Sequence, residues 1–320
     1  MPYKGRNLAF IFPGQGAQYV GMAMDYIAAE PRLENVLRSF DSQNGVDLFS
    51  IMNEGPEEAL KETRFTQPAI LFHSVAAMQA LQQKLPVQPD IVAGHSLGEF
   101  TALVAAGILS PDEAMYLVHR RGQFMIEANE DKPFAMAAIL GLGPNHVKEI
   151  CEMASEKGIV IAANYNTPVQ TVISGSASGV ARACEIAQEA RAKRIVPLAV
   201  GGPFHSPLIE KARGWLAEEI GKLDFTQSDI PLVSNVSARP TTDLDQIKRN
   251  LAQQVTSSVR WVESMKFIID NWNPVFLEFG PQRVLAGMMR KIDKQARILS
   301  VDKLDDVPAM IEKLEEICSD

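Results

Sequence analysis

Five residues, Gly94-His95-Ser96-Leu97-Gly98, constrain this chain more than any other stretch. They fit G-x-S-x-G and lie between a short apolar run, Ile91–Ala93, and a helical pattern from Leu97 to Ala106. Strand, sharp turn and helix together form the context of a nucleophile elbow on a parallel sheet. A glycine at each end removes side chains where such a turn packs against its strand and helix. The serine then projects from the turn, and the helix N-terminus favours negative charge developing beside it. An ordinary strand–helix turn with a serine N-cap would read the same way, so the pattern needs a base before it implies chemistry.

A serine hydroxyl is a weak nucleophile until a base takes its proton. Of the five histidines, His73, His119 and His146 fall inside helical patterns, where a structural role is the default. His95, next to the serine on a sharp turn, is expected to point elsewhere. His205 follows Gly201-Gly202-Pro203-Phe204 and precedes Ser206-Pro207, on a loop after a strand. Loops at strand ends are where catalytic groups concentrate, so His205 is the candidate general base, later the general acid. The nearest acid is Glu210, so no Ser…Asp…His order is evident. A Ser–His dyad, its imidazole oriented by a backbone carbonyl, is the expectation.

The first apolar run, Leu8–Phe12, reads as a buried parallel strand closed by Pro13-Gly14. The loop Phe12-Pro13-Gly14-Gln15-Gly16 has no phosphate-cradle spacing. Its glycines would let the Gln15 N–H approach a reacting centre and, with the Leu97 N–H, form a two-donor oxyanion hole. A plain tight turn is the other reading. Apolar spacing predicts a helix over Ala69–Leu85, and another from Pro111 to about Asn129 behind a Ser110 N-cap.

The middle of the chain changes character. Strand patterns at Ala135–Leu140, Ile159–Ala163, Thr171–Ser174 and Arg194–Val200 interleave with helices at Pro144–Lys157 and Ser178–Ala192. That βαββαβ order matches a ferredoxin-like subdomain. The predicted layout is a larger α/β domain in two discontinuous halves, 1–130 and 201–320, with an insertion at 131–200. Further strands are expected at Leu232–Val236 and Val275–Phe279.

A formal charge of -8 argues against generic binding to nucleic acid or anionic membrane. Cys151, Cys184 and Cys318 form no CxxC pair and read as neither a disulfide framework nor a zinc site. Lys4 and Arg6 precede an apolar run too short for a signal peptide, and no stretch approaches a membrane span. A cytoplasmic monomer without a permanently bound metal or cofactor is expected.

Seven stretches then carry a resemblance: FPGQGAQ at 12–18, TQPAI at 66–70, GHSLGE at 94–99, RGQFM at 121–125, PFHS at 203–206, SNVSARP at 234–240 and QVTSSVRW at 254–261. In this combination and order the chain resembles the malonyl-CoA:acyl-carrier-protein transacylases, including stand-alone acyltransferases that serve polyketide synthases. The resemblance runs from Leu8 to about Val301. It implies an α/β-hydrolase-like domain with an inserted ferredoxin-like domain. It also implies Ser96 as nucleophile, His205 as base, and the Gln15 and Leu97 amides as oxyanion hole. Arg121 would bind the free carboxylate of a malonyl group at the end of the pocket. Gln67 would line the site, and the Gln254 position would supply the carbonyl that orients the histidine. Leu97 and Phe204 resemble the malonyl-selective pattern, Phe204 crowding an α-methyl group. Ile126 departs from relatives that carry glutamine there, with an expected effect on polarity near Arg121.

The implied reaction moves a malonyl-type group from malonyl-CoA, or another thioester, to the phosphopantetheine thiol of an acyl carrier protein. Arg191-Ala192-Lys193-Arg194 and the group Arg290, Lys291, Lys294 are candidate carrier-docking patches, or simply cations at helix ends. An acyl-carrier hydrolase on the same scaffold, transfer of an unusual malonyl-type unit, and a non-catalytic binding subunit are the competing readings. Arg121 weighs against the hydrolase, and intact Ser96 and His205 against the binding subunit.

Overall fold

The structure, a computed structural model, describes residues 7–130 and 132–319. Lys4, Arg6 and the side chain of Cys318 lie outside the described residues. The chain is a mixed α/β protein. Among the described residues ten strands form two sheets: β1 (Leu8–Phe12), β2 (Ile91–Gly94), β3 (Phe134–Leu140), β4 (Val160–Thr167), β5 (Gln170–Ser176), β6 (Arg194–Pro197), β7 (Leu232–Val233), β8 (Pro240–Thr241), β9 (Val275–Phe279) and β10 (Arg297–Val301).

The larger sheet has the order β10-β9-β1-β2-β7-β8 and is parallel except where β8 returns against β7. Every residue of β1, β2 and β9 is buried, because helices cover both faces, so β1 and β2 read as apolar runs; in β9 the buried Glu278 accepts from Leu285 N and Ala286 N. Open parallel sheets bind ligands beyond the carboxyl ends of their strands. Here the loops leaving β1 and β2 meet, His95 N donating to Phe12 O at 2.9 Å.

The smaller sheet, β4-β5-β3-β6, is antiparallel throughout. Its own core includes Ile139, Val147, Ile150, Ile173 and Val180. Backbone bonds tie its β4 edge to the segment after Gln254: Tyr165 N donates to Val259 O at 2.9 Å, and Val259 N to Ala163 O at 2.8 Å.

Several boundaries differ from expectation. The helix expected to begin at Ala69 runs over Thr63–Lys84 with Pro68 inside it. Proline has no N–H for the carbonyl four residues back, here that of Arg64. The His119 ring takes that place, Nδ1 lying 3.0 Å from Arg64 O. Tertiary contact thus satisfies the carbonyl that Pro68 leaves open inside the helix. Strand β6 ends at Pro197 rather than Val200, and β7 is cut to Leu232–Val233 because Ser234 enters a turn closed by Ala238 N. Helices at Met24–Ala29, Arg32–Asn44, Leu48–Glu54 and Glu57–Leu60, and strand β10, were not among the predicted elements.

Candidate active site

The turn that carries Ser96 is built by backbone packing on backbone. A Cβ on Gly94 would fall 1.8 Å from the Gly98 carbonyl carbon, and one on Gly98 would fall 2.1 Å from Phe12 O. Both positions therefore demand glycine. Ser96 sits in left-handed backbone at φ 52°, a conformation costing a non-glycine residue about 1–3 kcal/mol. Asn235 clamps it: its Oδ1 accepts from Ser96 N at 2.7 Å, and its Nδ2 donates to Gly94 O at 2.7 Å.

Ser96 Oγ lies 2.8 Å from His205 Nε2, and His205 Nδ1 lies 2.9 Å from the backbone oxygen of Gln254. A carbonyl only accepts, so Nδ1 carries the proton and Nε2 offers its lone pair to the serine hydroxyl. Among the described residues no carboxylate bonds to the ring. Burial, and then the nearby Arg121 charge, push the His205 pKa down to about 3, so the ring is neutral at neutral pH. His205 is also left-handed, at φ 58°. Ser206 holds that turn, its Oγ donating to Pro203 O at 2.7 Å and accepting from Leu208 N at 3.3 Å.

Arg121 is 1% exposed. Its Nη1 donates to Gln67 Oε1 at 2.8 Å, and its Nη2 to both Gln254 Oε1 at 2.8 Å and Ser96 Oγ at 3.0 Å. The guanidinium therefore stands beside the Ser96 hydroxyl rather than at the far end of the pocket. Burial pushes the Arg121 pKa down, to about 9, which leaves it charged at neutral pH.

These groups open on a cavity of about 250 Å³. Gln15, Leu97 and Phe204 line it on the large-sheet side; Met136, Ala138, Asn164 and Asn166 line it from the smaller sheet. The Gln15 side chain turns away to Thr63 Oγ1 at 3.3 Å. Among the described residues neither the Gln15 nor the Leu97 backbone N–H donates to a protein acceptor. His95 does point away from Ser96, its Nε2 2.8 Å from Asn166 Oδ1 and its ring 5.5 Å from that of Trp261. Ile126 faces outward, 37% exposed, with its Cδ1 against Gly201. At the C-terminal end of its helix, residue 126 has turned off the face that carries Arg121 and Met125 and packs on the histidine loop. His73 packs edge-on to Tyr26 and His146 is exposed on its helix. Among the described residues no His/Cys/Asp/Glu group could hold a metal ion, and no helix is long and apolar enough to cross a membrane.

The family model of the acyl transferase domain matches residues 9–316. A malonyl CoA-acyl carrier protein transacylase of Bacillus subtilis is 40% identical over 311 residues, covering 97% of this chain and 98% of the relative. The chain belongs to the malonyl CoA-acyl carrier protein transacylase family. The solved transacylase of Coxiella burnetii superposes with a TM-score of 0.92 at 37% identity, covering 97% of this chain and 98% of that one. A malonyl-transacylase solved in complex with its type II PKS acyl-carrier protein superposes at 0.91 with 36% identity, covering 96% and 99%. Within this family chain, two site residues escaped the sequence reading. Glu99 and Asn235 lie inside GHSLGE and SNVSARP, stretches that carried the resemblance, but only the fold brings them under the serine.

Proposed function

We propose that the chain transfers a malonyl group from a CoA thioester to the phosphopantetheine thiol of an acyl carrier protein, through an acyl ester on Ser96. The Ser96 oxygen attacks the thioester carbonyl while its proton passes to His205 Nε2. The Gln15 and Leu97 amides take up the negative charge on the carbonyl oxygen, each such donor contributing about 3 kcal/mol. The C–S bond then breaks, and the departing thiolate receives the proton from His205. In the second half the carrier thiol attacks the ester, gives its proton to His205 and leaves as the malonyl thioester, while Ser96 recovers its hydrogen. Arg121 holds the malonyl carboxylate through a planar fork that lysine cannot copy. Gln67 and Gln254 orient that fork, and Phe204 limits room beside the malonyl methylene. An acetyl group would leave the buried guanidinium without an anionic partner, which is costly.

The observation that carries this reading is the contact of Arg121 Nη2 with Ser96 Oγ at 3.0 Å in a buried site. It supports reading Arg121 as the partner of a carboxylate that lies one methylene from the carbonyl under attack. The solved complex of a relative with its acyl-carrier protein supports the choice of acceptor. Arg290 and Lys291, in the last turn of the helix Val284–Ile292 that borders the cavity, are the favoured docking patch for an acidic carrier. We further read residues 131–200 as a ferredoxin-like insertion, from the βαββαβ order and the strand order of the smaller sheet. The two flanking halves are read as one α/β-hydrolase-like domain. The protein is read as cytoplasmic, acting with malonyl-CoA as substrate and no resident cofactor.

Intact-mass measurement after mixing with malonyl-CoA tests the reaction. A malonyl adduct on Ser96 that moves to holo carrier protein is expected; rapid release as free malonate would indicate a hydrolase instead. Arg121→Ala should lose malonyl transfer by about 100-fold or more and gain acetyl transfer. An unchanged malonyl preference in that variant would remove Arg121 from its role.

A further inference from the structure

Glu99 is completely buried on the first turn of the helix that follows Ser96. Its Oε2 accepts from Gln254 Nε2 at 2.6 Å and from Asn235 N at 3.2 Å. The same Gln254 Nε2 donates to Ser96 O at 2.9 Å, while Gln254 Oε1 accepts from Arg121 Nη2 at 2.8 Å and Gln254 O accepts from His205 Nδ1 at 2.9 Å. One glutamine thus touches the nucleophile, the base and the carboxylate-binding cation.

A side-chain amide has nearly the same shape either way round, so its hydrogen-bond partners decide which end is oxygen. Around Gln254 they leave no freedom. A backbone carbonyl accepts only, and Glu99 Oε2 already accepts from Asn235 N, which leaves any proton on Oε1, so the nitrogen faces Glu99 and Ser96 O. A guanidinium donates only, so the oxygen faces Arg121. Turning the amide over would set donor against donor at Arg121 and acceptor against acceptor at Glu99 and Ser96. Glu99 is itself located by Asn235, the residue whose side chain clamps the Ser96 turn.

The geometry points to Glu99 as a positioning residue: its carboxylate fixes the Gln254 amide so that the amide oxygen holds Arg121 in the plane that receives the malonyl carboxylate. The site thereby has an acidic member, acting one residue removed from the dyad. Glu99 touches no reacting atom. Its influence falls on Arg121 first, and so on the choice between acyl groups.

This inference rests on the proposed malonyl transfer, and the experiment separates the two. Glu99→Ala, Glu99→Asp and Glu99→Gln are compared with wild type for kcat/KM with malonyl-CoA and acetyl-CoA, alongside the malonyl–Ser96 adduct of the wild type. Asp keeps the acid but withdraws it from Gln254 Nε2; Gln keeps an acceptor oxygen in place without an acid. Ala and Asp should lower the malonyl-over-acetyl ratio by about 10-fold or more, and Gln should hold it within about 3-fold of wild type. If Ala does not fold, the Asp and Gln pair decides. Folded Ala or Asp protein with the wild-type ratio would overturn the inference, as would Gln falling as far as Asp. A wild type that forms no transferable malonyl adduct would instead overturn the proposed function, whatever the variants do.

Discussion

The nucleophile turn and the histidine loop both hold a functional side chain at positive φ, 52° for Ser96 and 58° for His205, but by opposite means. Around Ser96 backbone presses on backbone, with Gly94 against Gly98 and Gly98 against Phe12. Around His205 the neighbours are mainly side chains, Ser206 Oγ on Pro203 O and the tip of Ile126 on Gly201, with one main-chain approach of Gly202 to Met125 O. One turn is fixed by main-chain packing that admits no added atom. The other is held by groups that rotate. The difference fits their proposed chemistry, since the nucleophile is to stay put while the base moves a proton both ways.

The largest effect should come from the loop side. His205→Ala is expected to slow acylation of Ser96 by about 10⁴-fold or more, as in other serine–histidine pairs; single-turnover kinetics with malonyl-CoA would measure it. A loss below tenfold would end the role of His205 as base and leave the comparison without its second half.

Next in size is a pair of glycine substitutions. Gly98→Ala sets a methyl against Phe12 O and should destabilise the fold by about 3 kcal/mol or more. Gly201→Ala meets only the Ile126 tip, 2.5 Å away, which can change rotamer, so the cost should stay within about 1 kcal/mol. Urea denaturation of both variants checks the contrast, and equal losses would break it.

The smallest effect is electrostatic and has opposite signs on the two sides. Burial depresses His205 to about 3, so between there and its unfolded value of 6.5 the unfolded chain binds more protons. Its contribution is whole above 6.5 and is lost as pH falls. Burial raises Glu99 to about 7 from 4.5, so its native state binds more protons in that window and stability declines as pH rises through it. Relative to wild type, His205→Gln should therefore melt relatively higher at pH 5 than at pH 7.5. Glu99→Gln should do the reverse, gaining at pH 8 over pH 5. Melting scans across that range test both signs.

What could be read from the chain follows the range of the forces involved. The strand–turn–helix around Ser96, its paired glycines and the loop bearing His205 are local patterns, as is the alternation of elements over 134–197. The helix over Thr63–Lys84 starts six residues before its predicted Ala69, and the ring that satisfies the Arg64 carbonyl beside Pro68 comes from His119, on a different helix. Asn235 and Glu99 gave no local sign, since each works across more than 130 residues of chain, on Ser96 and on Gln254. The placement of Arg121 beside the hydroxyl depended on how two helices pack, which periodicity does not encode.

That placement means selection need not wait for product. While Arg121 donates to Ser96 Oγ, it draws electron density from the oxygen that must attack, and quietens it. On the proposed mechanism, a carboxylate that takes over that N–H leaves the oxygen fully reactive while Gln67 and Gln254 keep the cation in place. An acyl chain ending in a methyl has nothing to offer in exchange, so on the proposed mechanism it meets a subdued nucleophile as well as a poor fit.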